Sequence, residues 1–341
     1  MKVENPTSRD IADIAGVSQA TVSRALRNSP LVRPETRERI QEIARELNYF
    51  VNRNAAGLRT HQSNTIALLM FDETGGSEAQ INPFFLSMLG YISRSAASLG
   101  YDVLVSLQQL SDDWHIEYQA SHRADGLILL GYGDYVSYRE KLDALAAANT
   151  RFVIYGADAA DQPGLSVGCD NVAGGRMATQ HLLDLGCKRI AILGDTSRRH
   201  PEFASRGDGY AAALDDAGIG IDESLGIFAD NTEESAYRAM QEFLASGTEF
   251  DAVFAVTDVL AIGAMRALAD AELDVPGDVS VIGFDDLPRA AFVIPPLTTI
   301  QQNIREGGEH MVRTIVGLIE GKDVKSVRME PKLIVRQSCG A

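Results

Sequence analysis

The chain of 341 residues has little sulfur chemistry to offer: three cysteines, Cys169, Cys187 and Cys339, scattered and odd in number. They make neither a disulfide framework nor a C-x-x-C pair, so a reducing cytoplasm is the expected setting. The six histidines are also scattered, with no partners at metal-ligand spacing, and neither a metal nor a cofactor is expected. The G-x-S-x-G, P-loop and H-E-x-x-H patterns are missing, and no G-x-G-x-x-G follows a strand-like run, which points away from an enzyme and leaves no catalytic residue to name. No apolar run reaches membrane-spanning length and the N-terminus has no apolar signal region, so no membrane partner is expected. The single tryptophan lies in Asp112-Asp113-Trp114-His115, where it reads either as a packing residue or as a platform for a sugar ring.

Positive charge is scarce as well, with 31 Lys and Arg against 47 Asp and Glu and a net charge of −16. The balance is uneven along the chain: residues 1–61 carry +3 and the remainder −19. An acidic body repels phosphate and a basic head attracts it, so contact with nucleic acid is expected through the head alone. A chain of this length exceeds one ordinary core, and two or three domains are expected.

What is present begins with Val17-Ser18-Gln19-Ala20-Thr21-Val22-Ser23-Arg24-Ala25-Leu26. Val17, Val22, Ala25 and Leu26 fall on one face of a helix opened by Ser18, while Gln19, Ala20 and Arg24 point the other way. Upstream, Ser8 to Ala15 reads as a short helix that stops at Gly16. Two short helices around such a turn make a helix-turn-helix, whose second helix enters the DNA major groove. Ser18, Thr21 and Ser23 suit helix capping or phosphate contact, and Gln19 and Arg24 suit adenine and guanine edges; an ordinary solvated helix face is the competing reading. A third helix follows from Pro34, with Ile40, Ile43, Ala44 and Leu47 at helical spacing. Then comes Asn52-Arg53-Asn54-Ala55-Ala56-Gly57-Leu58-Arg59-Thr60, short, polar and basic with one large apolar residue.

The order of these three pieces closely resembles the lactose repressor (LacI/GalR) family of bacterial transcription regulators. The resemblance implies that Gln19, Ala20 and Arg24 occupy base-reading positions, flanked by Ser18, Thr21 and Ser23. It further implies that Asn52 and Arg53 belong to a hinge helix whose Leu58 wedges into the minor groove. From the residues alone, Leu58 reads equally as a packing anchor. Gly57 costs about 1 kcal/mol relative to alanine, so the hinge is expected to order only on DNA. The sequence departs from a frequent family form in having Val51 where a proline stands before the Asn-Arg pair.

The body is an alternation of apolar runs and helical stretches. Thr65–Phe71, Val103–Val105, Gly126–Leu130 and Phe152–Tyr155 form one series, and a second begins near Ser166-Val167 and includes Arg189–Leu193, Leu225–Phe228, Ala252–Val256 and Val279–Phe284. Such alternation predicts doubly wound parallel sheets, two of them, with ligand-binding loops after the strands. The expected architecture is therefore a small all-α helix-turn-helix head on an α/β body whose two doubly wound parallel-sheet lobes resemble a type I periplasmic binding protein. The expected division is 1–51 for the DNA-binding head, 52–64 for the hinge helix and linker, and 65–341 for the body. Within the body one lobe takes about 65–162 with 297–325, the other 163–296 with 326–341.

Several motifs after strands match the family. Asn82-Pro83-Phe84-Phe85 reads as core, yet the resemblance places Phe84 at the cleft mouth as a sugar-stacking ring. Ser205-Arg206-Gly207-Asp208-Gly209-Tyr210 and Gly283-Phe284-Asp285-Asp286 imply Arg206 and Asp285 as effector ligands. Thr257-Asp258 stands where the family frequently has Asn-Asp, with helix capping by Asp258 as the plainer reading, and Tyr155 stands where some relatives carry an acid. The resemblance thus implies a homodimeric repressor of sugar-utilisation genes, with a near-palindromic double-stranded operator and a small sugar effector. A nucleobase or phosphorylated corepressor is the alternative. The chain closes soon after Leu333-Ile334-Val335 without heptads, so tail-mediated tetramers are not expected.

Overall fold

The computed structural model describes residues 6–26, 28–49, 62–71, 81–108, 113–131, 135–157 and 162–340. The chain divides into two compact units, Met1–Ser63 and Asn64–Ala341. The hinge residues expected to touch DNA, Asn52, Arg53 and Leu58, lie outside the described residues.

The first unit holds α1 (Ser8–Ala15), α2 (Gln19–Leu26) and α3 (Pro34–Glu46). A capping box between Thr7 and Asp10 opens α1, and Gly16 closes it in the left-handed conformation, at φ 63°, that glycine adopts without strain. Ser18 opens α2 by accepting from the Thr21 amide at 3.2 Å. Pro34 starts α3, where its missing N–H leaves no intrahelical bond unmade. Ile11, Ala12, Ala15, Val22, Ala25, Val32, Ile40, Ile43 and Ala44 are buried together, one small core that the three helices share.

The second unit carries two six-stranded sheets. The first contains β1 (Thr65–Phe71), β2 (Asp102–Gln108), β3 (Gly126–Leu130), β4 (Phe152–Tyr155), β5 (Leu165–Cys169) and β11 (Val327–Met329). Its order is β11-β5-β4-β3-β1-β2, parallel throughout. The second contains β6 (Ile190–Leu193), β7 (Gly226–Ile227), β8 (Ala252–Ala255), β9 (Ser280–Asp285), β10 (Thr298–Gln301) and β12 (Lys332–Ile334). Its order is β12-β10-β9-β8-β6-β7, with β12 alone antiparallel. Both sheets follow one winding plan, so the carboxyl ends of their strands border a crevice. The near-continuous apolar runs have the physical cause expected of them, since β1, β3, β4, β8 and β9 are buried almost end to end.

The helices α4 (Pro83–Ser98), α5 (Tyr135–Ala147) and α10 (Ile304–Ile319) serve the first sheet. Those serving the second are α6 (Asn171–Asp184), α7 (Pro201–Asp216), α8 (Glu233–Ala245) and α9 (Asp258–Asp270).

Three lobe boundaries differ from the sequence reading, one of them because Val327–Met329, expected in the second lobe, pairs with β5 in the first sheet. The strand at Leu165–Cys169, expected to begin the second lobe, pairs with β4 and β11 in the first sheet. The segment Thr298–Gln301, expected in the first lobe, pairs with β9 and β12 in the second. The chain therefore crosses after Cys169, after Gln302 and between Met329 and Lys332. Strand partnership is a non-local choice, and these short runs carry no local mark of which sheet they join.

Trp114 packs at 4.9 Å from the Phe71 ring and 5.7 Å from Tyr138, buried in the first lobe. It is a core residue and not a sugar platform.

Candidate effector cleft and DNA-reading helix

On α2, packing of Val22 and Ala25 against the small core leaves Gln19, Ala20 and Arg24 exposed on the opposite side. Ser18 and Thr21 hydroxyls bond one another at 2.9 Å and are thus partly occupied with capping. Thr21 and Ser23 are half-buried beside them. Gln41 of α3 donates to Ala25 O at 3.4 Å and to Asn28 Oδ1 at 2.8 Å, fixing the far end of α2.

In the body, strand ends converge from both sheets. Tyr155 ends β4, Cys169 ends β5, Asp285 ends β9, and Gln302 follows β10; all line one cavity with Phe84, Phe85, Asn171, Glu202, Phe203, Arg206 and Thr257. Asp285 has φ 122°, a left-handed conformation rarely taken by non-glycine residues and most often tolerated at binding sites.

Arg206 is not on a loop, as loops after strands would have had it, but in the second turn of α7. Its guanidinium is buried, donating from Nε to Asn171 Oδ1 at 2.9 Å and from one terminal nitrogen to Val256 O. It lies 3.6 Å from Asp285 Oδ1 and stacks 3.8 Å from the Phe284 ring centroid. This position depends on a close approach of α6 and α7: a Cβ on Gly209 would stand 2.1 Å from Val172 O, and one on Gly175 2.1 Å from Arg206 O.

Asp285 accepts from Gln302 Nε2 at 2.7 Å, and Gln302 Oε1 accepts from the Tyr155 hydroxyl at 3.0 Å. A buried polar chain Tyr155–Gln302–Asp285–Arg206 thus runs from the first sheet to the second lobe. Burial raises the Asp285 carboxyl to about 6, against the opposing pull of Arg206 and Gln302. Glu202, on the first turn of α7, accepts from the Ala157 amide of the first lobe at 2.8 Å, a second bond across the cleft, and burial raises its carboxyl too. Phe84, Phe85 and Tyr155 form an aromatic cluster with centroids 5.5 to 6.3 Å apart.

Thr257 is the N-cap of α9, accepting from the Leu260 amide at 3.3 Å and donating to Asn231 Oδ1 at 2.8 Å. Asp258, expected among the effector ligands or as the cap, is not among the residues lining this cavity and is not the N-cap. It is fully buried, one carboxylate oxygen accepting from the Leu287 amide at 2.7 Å and the other from the Thr299 hydroxyl. With both oxygens taken inside the second lobe, it braces β10 and the turn after β9. Sequence reasoning missed Asn171, Glu202, Phe203 and Gln302; for Gln302 the available signal was its place directly after the crossover strand.

Among the described residues no helix is long and apolar enough to cross a membrane. Residues 7–52 match the family described as bacterial regulatory proteins, lacI family, and residues 179–339 match the periplasmic binding protein-like domain. The chain is 32% identical over 340 residues to the HTH-type transcriptional regulator CelR of Thermobifida fusca, covering 98% of each chain. A solved CelR–cellobiose complex has a TM-score of 0.72 at 31% identity, covering 98% of this chain and 99% of that one. A solved lac repressor dimer bound to operator and the anti-inducer ONPF has a TM-score of 0.85 at 28% identity, covering 99% of this chain and 100% of that one. A three-helix head with Gln19, Ala20 and Arg24 exposed on α2, two lobes of one winding plan and full-length similarity to such regulators lead to one conclusion: the chain belongs to the lacI family of bacterial regulatory proteins.

Proposed function

We propose that this protein is a repressor of carbohydrate-utilisation genes, working in the cytoplasm as a homodimer on a near-palindromic operator, with a small sugar in the cleft as its effector. Gln19, Ala20 and Arg24 supply the base-reading face, Arg24 suited to a guanine edge and Gln19 to an adenine. Two copies related by a two-fold axis match two half-sites, and the lac repressor relative is a dimer on its operator.

The observation that carries the sugar reading is the state of Arg206. Its charge is already engaged by Asp285, while Asn171 and Val256 O take two of its five N–H donors and leave the others for neutral hydroxyls. A phosphorylated metabolite would find no spare arginine or lysine among the described lining residues. A neutral polyol suits the same groups, because carboxylate, amide and guanidinium all bond hydroxyls while the Phe84–Phe85–Tyr155 cluster covers the apolar face of a ring. The similarity to the CelR–cellobiose complex supports the same class. Cys169, the one thiol among the described lining residues, is pushed by burial to about 12 and stays protonated, so it offers no thiolate nucleophile. Ligand that rearranges the chain from Tyr155 to Arg206 shifts the closure of the two lobes, and through it operator affinity.

A thermal-shift panel of saccharides, sugar phosphates and purines tests this, followed by operator titration with and without each hit. A neutral saccharide is expected both to raise the melting temperature and to change operator affinity. Hits confined to purines or sugar phosphates overturn the sugar effector.

A further inference from the structure

A second cavity, of about 520 Å³, adjoins the cleft on the second lobe. That volume is within the roughly 300–1,000 Å³ typical of small-molecule sites. The turn after β7, Phe228 to Thr232, lines one side and α8 another, with Asp195 after β6 between them. His200 and Phe203 line both cavities. The hydrogen bond from Thr257 to Asn231 joins them as well, since Thr257 lines the cleft and Asn231 the recess.

The chemistry of the recess is not that of a solvated accident. Phe228 is 64% exposed although its chain neighbours Ile227 and Ala229 are buried, so its ring is left out of the core. Asp230, Asn231, Arg238 and Glu242 line the same recess. Arg238 also lies 3.4 Å from Glu234. One aromatic ring beside carboxylates, an amide and a guanidinium is the set that recognises a pyranose, whose C–H face is apolar and whose rim bears hydroxyls. The carboxylates outnumber the one arginine, so a phosphate or uronate is disfavoured there.

We propose that this recess is a second saccharide subsite, continuous with the cleft across His200 and Phe203, so that the effector is a disaccharide or longer oligosaccharide whose second ring rests on Phe228. The proposal rests on the sugar reading of the cleft and narrows it. In it, the first ring takes Asp285 and Arg206, and the second takes Phe228 with the polar groups of α8.

Calorimetric titration of the full-length protein with glucose, galactose, cellobiose, maltose and lactose tests it. At least one disaccharide is expected to bind about tenfold or more tightly than either of its component monosaccharides. Phe228→Ala, a change at an exposed position, is expected to remove most of that difference and leave monosaccharide affinity where it was. Glu242→Ala gives a second, independent loss confined to the disaccharide. Monosaccharides that bind as tightly as their disaccharides overturn the subsite and leave the sugar effector standing, as does a Phe228→Ala protein with unchanged disaccharide affinity or with equal losses for both. Failure of every saccharide to bind, with purines or sugar phosphates binding instead, overturns the sugar reading and the subsite together.

Discussion

Effector binding should depend on pH through Asp285, and the size of the effect follows from its surroundings. Burial raises the free carboxyl to about 6, with Arg206 at 3.6 Å and the Gln302 amide at 2.7 Å pulling the other way. Burial keeps the Tyr155 hydroxyl and the Cys169 thiol protonated, and burial together with the Asp285 charge pushes Asp258 well above the carboxylate range. A sugar hydroxyl donating to Asp285 favours the charged form, so the carboxyl is lower in the complex than in the free protein and binding expels a proton. The sign follows: affinity is complete above about pH 7 and is lost as pH falls through 6. The protonated fraction alone weakens binding about twofold at pH 6 and about tenfold at pH 5, roughly 1.4 kcal/mol. Calorimetric titration with a saccharide hit, cellobiose first, from pH 7.5 to 5 in buffers of different ionisation enthalpy reads both the affinity and the proton released. Asp285→Asn should bind weakly with a flat profile, and Glu202→Gln removes the other cleft carboxyl that burial has raised. An affinity that is flat or rises toward pH 5 in the unaltered protein would refute the role given to Asp285.

Other perturbations bear on the remaining elements. Gly209→Ala sets a methyl 2.1 Å from Val172 O and 2.6 Å from the Arg176 amide, so α6 and α7 must part; a loss of about 1–3 kcal/mol in denaturant unfolding is expected, together with weaker saccharide binding as Arg206 shifts. Tyr155→Phe leaves Gln302 Oε1 without its 3.0 Å donor and should cost about 1–3 kcal/mol by the same assay; an unchanged midpoint would mean that water replaces the hydroxyl. Arg24→Ala should relax base preference at one position per half-site by about 1–3 kcal/mol, measured against single-base operator variants; equal loss on all sequences would make it a phosphate contact. Leu58→Ala, carried over from the family resemblance, should weaken operator binding while saccharide affinity stays constant, and a normal operator affinity would reduce Leu58 to packing.

Local chemistry determined much of this protein before any folding was known. Hydrophobic spacing over Ser8–Leu47 and the stop at Gly16 specify three helices and which face of α2 is exposed, because helix periodicity and a left-handed glycine act within a few residues. Fully apolar runs such as Ile66–Phe71 specify strands buried on both faces. The motifs around Arg206 and Asp285 were legible through their resemblance to family motifs, each being a short pattern at a strand or helix end. The tertiary structure alone decided which sheet Leu165–Cys169 and Thr298–Gln301 join, since strand pairing is settled by partners far along the chain. That choice brings Gln302 between Tyr155 and Asp285, residues 147 and 17 positions away. It also turns Asp258 inward, where the Leu287 amide and the Thr299 hydroxyl take both of its oxygens, while its neighbour Thr257 keeps a place in the cleft. Adjacent residues at a helix start point in different directions, and only the packing of α9 against β9 and β10 fixes which of the two lines the cleft.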